Sequence, residues 1–258
     1  MASISGTSGN DSLVGTAGND TLNGFGGNDT LVASGGIDFY DGGSGFDTLD
    51  VKNASTGVSV NFTDGTMSGG LSGTFVNMER VFGSNAGDRL IGAAGGQNLS
   101  ARGGNDTLEG GAGVDTLWGG TGADSFVFRE TGTANADRLG DFASGADKIV
   151  LDGSVMSALG ASGNFAAGDA RFAANSSGSA QDSSDRIIFN TATQQIFYER
   201  VLDDVRFGDR ARRKRGRERC EALAPVVRLE QSFCGGFGVH HAFPGCTCPH
   251  SGHLRSLL

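Results

Sequence analysis

A nine-residue repeat runs from Gly6 to Asp50 without a slip of register. Cut every nine residues, this stretch is GTSGNDSLV, GTAGNDTLN, GFGGNDTLV, ASGGIDFYD and GGSGFDTLD. Every unit has an aspartate at its sixth place, and every unit but one has a leucine at its eighth, where the exception is Tyr40. A fixed period of this kind predicts a solenoid in which each repeat contacts only its neighbours.

The residue types of the unit predict its local structure. Glycines at the first and fourth places and asparagines at the fifth tolerate positive φ, so the first six residues are expected to form a tight turn. The last three residues then form a short strand whose middle side chain points inward. The inward column of one wall is Leu13, Leu31 and Leu49, and that of the other wall is Leu22 and Tyr40. Two units therefore make one coil of eighteen residues.

Stacked aspartates create an electrostatic problem in such a coil. Residues eighteen apart, such as Asp11 and Asp29, are expected to lie above one another at about 4.8 Å. Two carboxylates at that distance repel by about 1 kcal/mol in water and about 3.5 kcal/mol at an effective dielectric constant of 20. No Lys or Arg precedes Lys52, so a cation from solution is needed. Carboxylates and backbone carbonyls form a hard oxygen environment, which favours calcium over zinc or copper.

A second array resumes the period from Gly83 as GSNAGDRLI, GAAGGQNLS, ARGGNDTLE, GGAGVDTLW and GGTGADSFV. Gln97 replaces a carboxylate and Ala86 replaces a glycine, so the first two units are expected to be weak sites. The predicted calcium ligands are the sixth-place aspartates of both arrays, which are Asp11, Asp20, Asp29, Asp38, Asp47, Asp88, Asp106, Asp115 and Asp124. We expect several ions, bound between aspartates eighteen residues apart.

The repeated unit resembles the glycine-rich, aspartate-rich nonapeptide of RTX, or hemolysin-type, calcium-binding proteins. The segment FVNMERVFGS (75–84) resembles the spacer that joins such arrays, and ADRLGDFASGADKIVL (136–151) resembles the segment after the calcium roll of serralysin-type secreted proteases. The resemblance implies an all-β fold, a parallel β-roll or β-solenoid of two arrays followed by a β-sandwich-like cap. It also implies an extracellular protein that leaves the cell through a type I secretion apparatus.

Five regions follow from these patterns. They are a first array at 1–50, a spacer coil continuing the solenoid at 51–82, a second array at 83–127, a strand-rich cap at 128–200 and an atypical tail at 201–258. In the spacer, Val58, Val60 and Phe62 alternate with polar residues as in a half-buried strand. The expected strands around the cap are Ser125–Phe128, Arg138–Phe142, Lys148–Leu151, Arg186–Asn190 and Gln195–Glu199, with a turn at Thr191–Gln194. Asp137, Asp141 and Asp147 are expected to be turn and surface residues, and cation binding by them is the alternative.

The tail differs from the rest of the chain in composition. Residues 1–200 hold 10 Lys and Arg against 23 Asp and Glu, whereas residues 201–258 hold 10 against 6. All Pro, Cys and His residues lie in the tail. Its Arg-rich run at 210–219 would suit nucleic acid, and the set Cys246, Cys248, His250 and His253 would suit zinc. The simultaneous change in every index favours a disordered or off-frame tail, with no nucleic-acid partner.

The sequence offers no catalytic motif. A serralysin-type protease needs a zinc-binding H-E-x-x-H motif, yet no His precedes His240, so the chain is not expected to be an enzyme. No apolar run approaches the length of a membrane span, and no cleavable signal peptide is visible. The leading hypothesis is calcium binding that couples extracellular calcium to the folding of a secreted protein or fragment. The alternative is a module that binds an alginate-like carbohydrate or belongs to a surface layer, using outward residues such as Arg89, Arg102 and Trp118.

Overall fold

Two long β-sheets face each other in the computed structural model. It describes residues 1–131, 133–143, 145–156, 159, 169–177, 185–190, 192, 195–198 and 224–229. The first sheet has the strand order β1-β3-β5-β9-β8-β7-β11-β13-β15-β17, and the second has the order β18-β19-β20-β21-β16-β14-β12-β10-β6-β4-β2. The predicted parallel β-roll is confirmed.

The strands are short, as the repeat requires. They are β1 Ser3–Ser5, β2 Ser12–Val14, β3 Thr21–Asn23, β4 Thr30–Val32, β5 Ile37–Asp41, β6 Thr48–Asp50, β7 Val58–Asn61, β8 Thr66–Gly69, β9 Ser72–Val76, β10 Arg80–Phe82, β11 Arg89–Ile91, β12 Asn98–Ser100, β13 Thr107–Glu109, β14 Thr116–Trp118, β15 Ser125–Phe128, β16 Asp137–Leu139, β17 Lys148–Leu151, β18 Phe172–Asn175, β19 Ile187–Asn190, β20 Gln195–Tyr198 and β21 Ala224–Leu229. A 3-10 helix covers Thr133–Asn135.

Consecutive coils pair in parallel at a shift of eighteen residues. Leu31 pairs with both Leu13 and Leu49 in the second sheet, and Leu22 pairs with Tyr40 in the first. The eighth-place side chains are buried between the sheets, and those of Leu22, Leu31, Tyr40, Leu49, Leu90, Leu99, Leu108, Leu117 and Phe126 are fully inaccessible. The two inward columns therefore form one continuous core, and the polar turns lie along its edges.

The spacer contributes unequally to the two sheets. In the first sheet it supplies β7, β8 and β9, of which β9 is parallel to β5 and β7 is parallel to β11, while β8 is antiparallel to both of its neighbours. In the second sheet it supplies β10 alone, where Val81 pairs with Leu49 on one side and with Leu99 on the other. Val58, Val60, Met67, Phe75 and Val81 belong to the same core cluster as the leucines.

The segment that follows residue 127 begins as a further coil. Strand β16 is parallel to β14, and β17 is parallel to β15, so both sheets continue past the last nonapeptide. Strands β19 and β20 are antiparallel, and β18, which was not expected from the sequence, lies beside β19. Most of the expected turn at 191–194 lies outside the described residues. So does the tail, except for β21, which pairs with β16 and β20.

Candidate metal sites

The predicted ligands lie in the turns that precede the strands, except for Asp38, which is the second residue of β5. All of them except Asp11 are buried, and the least accessible, Asp47 and Asp115, have no exposed surface. Burial of an ionised carboxylate is unfavourable unless the carboxylate is paired with a cation or with hydrogen-bond donors. The hydrogen bonds of each of its two oxygens therefore indicate what the site can bind.

In every predicted ligand except Asp11, Oδ1 accepts a backbone N–H from a neighbouring coil. The Asp11 N–H donates to Asp29 Oδ1 at 2.7 Å, and the Asp29 N–H donates to Asp47 Oδ1 at 2.7 Å. The second array repeats the pattern, since the Asp106 N–H donates to Asp124 Oδ1 at 2.9 Å. Residues eighteen apart are thus joined through a carboxylate and a backbone amide.

The fifth-place asparagines form a parallel ladder. Asn10 Oδ1 accepts the Asn28 N–H at 2.7 Å, and Asn28 Oδ1 accepts the Phe46 N–H at 2.9 Å. The sequence suggested only that these asparagines tolerate an unusual backbone conformation. Their additional role is to bind the turn of the next coil through the side chain.

The second carboxylate oxygen divides the aspartates into two groups. In the first group the oxygen accepts hydrogen bonds within its own turn: Asp20 Oδ2 accepts the Thr16 N–H at 2.7 Å and the Thr16 hydroxyl at 2.6 Å. In the second group Oδ2 is buried and has no hydrogen-bond partner among the described residues. This group consists of Asp29, Asp47, Asp106, Asp115 and Asp124.

Other oxygens converge on the unpartnered carboxylates. A β-carbon added to Gly110 would lie 2.6 Å from both Asp115 Oδ2 and Asp137 Oδ2. One added to Gly24 would collide with Asp29 Oδ2 and with the carbonyl oxygen of Gly42, one coil later. Glycine leaves these spaces free, and carboxylate and carbonyl oxygens line them. Such a set of donors fits calcium, which takes several oxygen ligands at about 2.3–2.6 Å.

The pKa values of Asp20, Asp47, Asp106 and Asp124 agree with this division. Burial raises the pKa of Asp106 to about 7, and burial also raises the pKa of Asp47 and Asp124. In contrast, the Thr16 hydroxyl and backbone N–H lower the pKa of Asp20. A carboxylate with a raised pKa lacks a compensating positive charge, which a bound cation would supply.

Three acidic residues outside the repeats occupy equivalent positions. Glu79 Oε2 accepts the Asp47 N–H at 2.8 Å, Asp137 Oδ1 accepts the Asp115 N–H at 2.9 Å, and Asp147 Oδ1 accepts the Asp124 N–H at 3.0 Å. Asp137 is only 3% exposed, so the expectation that it is a surface residue is wrong. Each of the three stands two residues before an inward apolar residue, which is the signal that sequence reasoning missed.

Gln97 fills its turn without a charge. Its Oε1 accepts the Ala93 N–H at 3.1 Å, and its own N–H donates to Asp115 Oδ1 at 2.6 Å. The coil is therefore held together where the carboxylate is missing. Within the described part of the chain, no group of three or more His, Cys, Asp or Glu side chains is gathered as a metal site. The candidate sites instead combine aspartates with backbone carbonyls.

The chain was compared with family models, curated proteins and solved structures. A family model described as the RTX calcium-binding nonapeptide repeat (4 copies) matches residues 5–40, 32–50 and 91–126. A search of curated proteins gave no match. Among solved structures, the extracellular lipase LipA from Serratia marcescens is similar, with 22% identity and a TM-score of 0.26. The match covers 62% of this chain and 33% of the lipase chain, so it spans about a third of that protein.

Proposed function

Because residues 5–50 and 91–126 carry RTX calcium-binding nonapeptide repeats, which bind Ca2+, we propose that calcium folds this chain into its roll after export from the cell. Proteins with these repeats are typically secreted, and the repeats themselves are non-catalytic. Export would use a type I secretion apparatus, as the resemblance to RTX proteins implies. The chain would act as a calcium-dependent folding module and not as an enzyme.

The observation that carries this proposal is the set of buried Oδ2 atoms that have no hydrogen-bond partner among the residues described. A buried unpaired charge opposes folding by several kcal/mol. The repeat has little to offset this penalty, since each unit of nine residues buries one large side chain, which stabilises by about 2 kcal/mol. Metal binding would remove the penalty and is thermodynamically part of folding. Extracellular calcium modules bind in the range of about 0.1–1 mM, so the chain would remain unfolded in the cytosol.

A calcium titration monitored by circular dichroism tests the proposal. The full chain should gain β signal cooperatively as calcium is added, and chelator should reverse the gain. Magnesium is the control, because it demands a stricter octahedral geometry and retains its water more strongly. A roll that is fully formed in excess chelator would contradict calcium-driven folding.

Binding of an acidic polysaccharide is a second candidate function, supported by the outer face of the second sheet. The Arg80 guanidinium lies 4.8 Å from the centre of the Phe46 ring and 5.6 Å from that of the Phe82 ring. Trp118 is 38% exposed and shares a column with Phe82. Two of the residues suggested by sequence have other partners, since Arg102 pairs with Asp50 at 2.9 Å and Arg89 pairs with Glu109 at 3.7 Å.

Alginate affinity electrophoresis of the calcium-loaded chain tests this second candidate. Trp118→Ala should weaken retardation, because the substitution removes the large amphipathic ring that would contact the polysaccharide on this face. Phe39→Ala is a matched control, because Phe39 is also 38% exposed but lies on the first sheet. Equal retardation of both variants, or none of the parent chain, would reject carbohydrate binding at this face.

A further inference from the structure

The second residue of each nonapeptide has one of two backbone conformations. In five of the ten turns it has a positive φ, and these residues are Phe25 (69°), Gly43 (91°), Arg102 (74°), Gly111 (87°) and Gly120 (90°). The same five turns contain the five aspartates whose buried Oδ2 has no hydrogen-bond partner in the part of the chain that the structure describes. We call these five the open turns.

Hydroxyl residues stand at the second place of the turns whose aspartates are satisfied. Thr7 donates its N–H to Asp11 Oδ2 at 2.6 Å and its hydroxyl to the same atom at 2.9 Å. Ser84 donates its N–H to Asp88 Oδ2 at 2.7 Å and its hydroxyl to Asp88 Oδ1 at 2.9 Å. Thr16 and Ser34 occupy the same place and also donate their hydroxyls to the aspartate of their turn. We call these four the closed turns.

The direction of one backbone N–H accounts for the difference. In the closed turns that begin at Gly6, Gly15 and Gly83, the second residue donates its N–H to the aspartate of the turn. In three open turns the corresponding N–H is directed elsewhere: Phe25 donates to Asn23 Oδ1, Gly43 donates to Asp41 Oδ1, and Gly120 donates to Asp141 Oδ2. Positive φ at the second place therefore removes the donor that would otherwise occupy Oδ2.

Two open turns adopt this conformation without glycine. Phe25 and Arg102 carry a β-carbon, which makes a left-handed backbone unfavourable by about 1 kcal/mol or more. A strained residue persists only where its surroundings compensate for it. A cation held between the buried oxygens of the open turn, such as Asp29 Oδ2 and the carbonyl oxygen of Gly42, would supply this compensation.

We propose that the second residue of each repeat decides whether its turn binds calcium. A residue with positive φ opens the turn and exposes the aspartate to the ion, whereas Ser or Thr closes the turn and takes the place of the ion with its own donors. The calcium sites are then the open turns of Asp29, Asp47, Asp106, Asp115 and Asp124. The closed turns of Asp11, Asp20, Asp38 and Asp88 hold the roll together without metal. This inference rests on calcium binding by the repeats and not on calcium-driven folding.

The turn of Asp88 allows a direct test, since a β-carbon on Gly83 would lie 2.6 Å from both Asp88 Oδ2 and the carbonyl oxygen of Ala101. Removal of the Ser84 hydroxyl and of its N–H bond to Asp88 should therefore create a calcium site. Ser84→Gly should bind one more ion per chain than Ser84→Ala, measured on the full chain by calorimetric titration and equilibrium dialysis. The alanine variant is the control, because Ala93 shows that alanine at the second place keeps its N–H bond, to Gln97 Oε1.

The turn of Asp29 allows the reverse test. Phe25 is 55% exposed, so its replacement leaves the core intact. Phe25→Ser should bind one ion fewer than Phe25→Gly, because serine can cap Asp29 whereas glycine keeps the turn open. A difference of one ion in both pairs supports the proposal. Equal stoichiometry in the Phe25 pair overturns it, whatever the Ser84 variants show. A parent chain that binds calcium but is already folded in chelator would contradict calcium-driven folding and leave this inference intact.

Discussion

The buried carboxylate of a single residue makes the stability of the calcium-free roll depend on pH. The folded-state pKa of Asp106 is about 7, well above the value of about 3.9 in an unfolded chain. Between about pH 3.9 and about pH 7, folding without calcium is therefore accompanied by protonation of Asp106. The resulting stabilisation is complete below the unfolded-state pKa and is lost as pH rises through about 7. Protons and calcium ions should compete for the same oxygens.

We expect the calcium-free chain to be more structured at about pH 5.5 than at about pH 8, since protonation neutralises the buried aspartates. Circular dichroism of the dialysed chain measures this. Calcium affinity should fall over the same interval as pH is lowered. Asp106→Asn provides the control, because its amide cannot titrate and the dependence on pH should shrink. A dependence that is unchanged in this variant would exclude Asp106 as a source.

The period of the sequence predicts the position of each ligand but not its hydrogen bonds. Asp38 and Asp47 hold the same place in consecutive units, yet Asp38 Oδ2 accepts bonds from Ser34 and from the Tyr40 hydroxyl at 2.7 Å, whereas Asp47 Oδ2 has no partner among the described residues. Tyr40 was predicted only as an inward side chain. The difference depends on one backbone angle at the second place, which local propensity does not fix for residues such as Phe25.

The inward leucines of successive strands stack on one another, so the contribution of each leucine to the free energy of unfolding depends on how many neighbours it has in its column. Leu108 is fully buried and lies between Leu90 and Phe126 in the first sheet. Leu108→Ala should lower the free energy of unfolding by about 2–5 kcal/mol, the usual range for a buried leucine. Urea denaturation in saturating calcium measures the loss.

Leu13→Ala is the matched control for that substitution. Leu13 is 8% exposed and lies in β2, the last strand of the second sheet, so only Leu31 is its partner in the ladder. The loss should be clearly smaller than for Leu108→Ala. Equal losses would mean that the layers do not stabilise one another.

Strands inside the arrays could be predicted because the nine-residue period places an apolar residue at the same position of every unit. Strands outside the arrays could be predicted only in part. The alternation of Val58 and Val60 indicated β7, and Lys148–Leu151 was predicted with the bounds of β17. Strands β8 and β9 were not predicted, because β8 pairs antiparallel with β7 and β9 pairs in parallel with β5, and these distant contacts leave no local pattern in the sequence. Glu79 was missed because the spacer breaks the nine-residue register, so its pairing with Asp47 is not at a shift of eighteen.

Across the whole molecule, one ion pair links the two arrays over the spacer. Arg102, after β12, donates from a terminal nitrogen to Asp50 Oδ1 at 2.9 Å and to the carbonyl oxygen of Gly83 at 2.8 Å. Asp50 ends β6, the last strand of the first array, and the side chain of Arg102 crosses the Phe82 ring at 5.1 Å to reach it. The two arrays are thus joined by a side chain as well as by β10.

Asp50→Asn should weaken this link by about 1–3 kcal/mol, because a hydrogen bond to a charged group is replaced by a neutral one. We expect the calorimetric melting transition in calcium to broaden or divide as the arrays become less coupled. Arg89→Ala is the control: the Arg89–Glu109 pair lies within the second array and is partly exposed, so its loss should change little. Identical transitions in both variants would show that the backbone alone couples the arrays.

Successive strands of the arrays alternate between the two sheets, so the number of repeats removed or inserted decides which sheet each later strand joins. Deletion of eighteen residues from an array would shorten the roll by one coil and leave every later strand in its own sheet. Deletion of nine would transfer all later strands to the opposite sheet, although the repeat itself would remain continuous. Residues that pair at a shift of eighteen across the deleted unit, such as Leu31 and Leu49, would then lie in opposite sheets. We therefore expect insertions and deletions in the arrays to be tolerated better in whole coils than in half coils, because only whole coils keep every later strand in register with the strands before it.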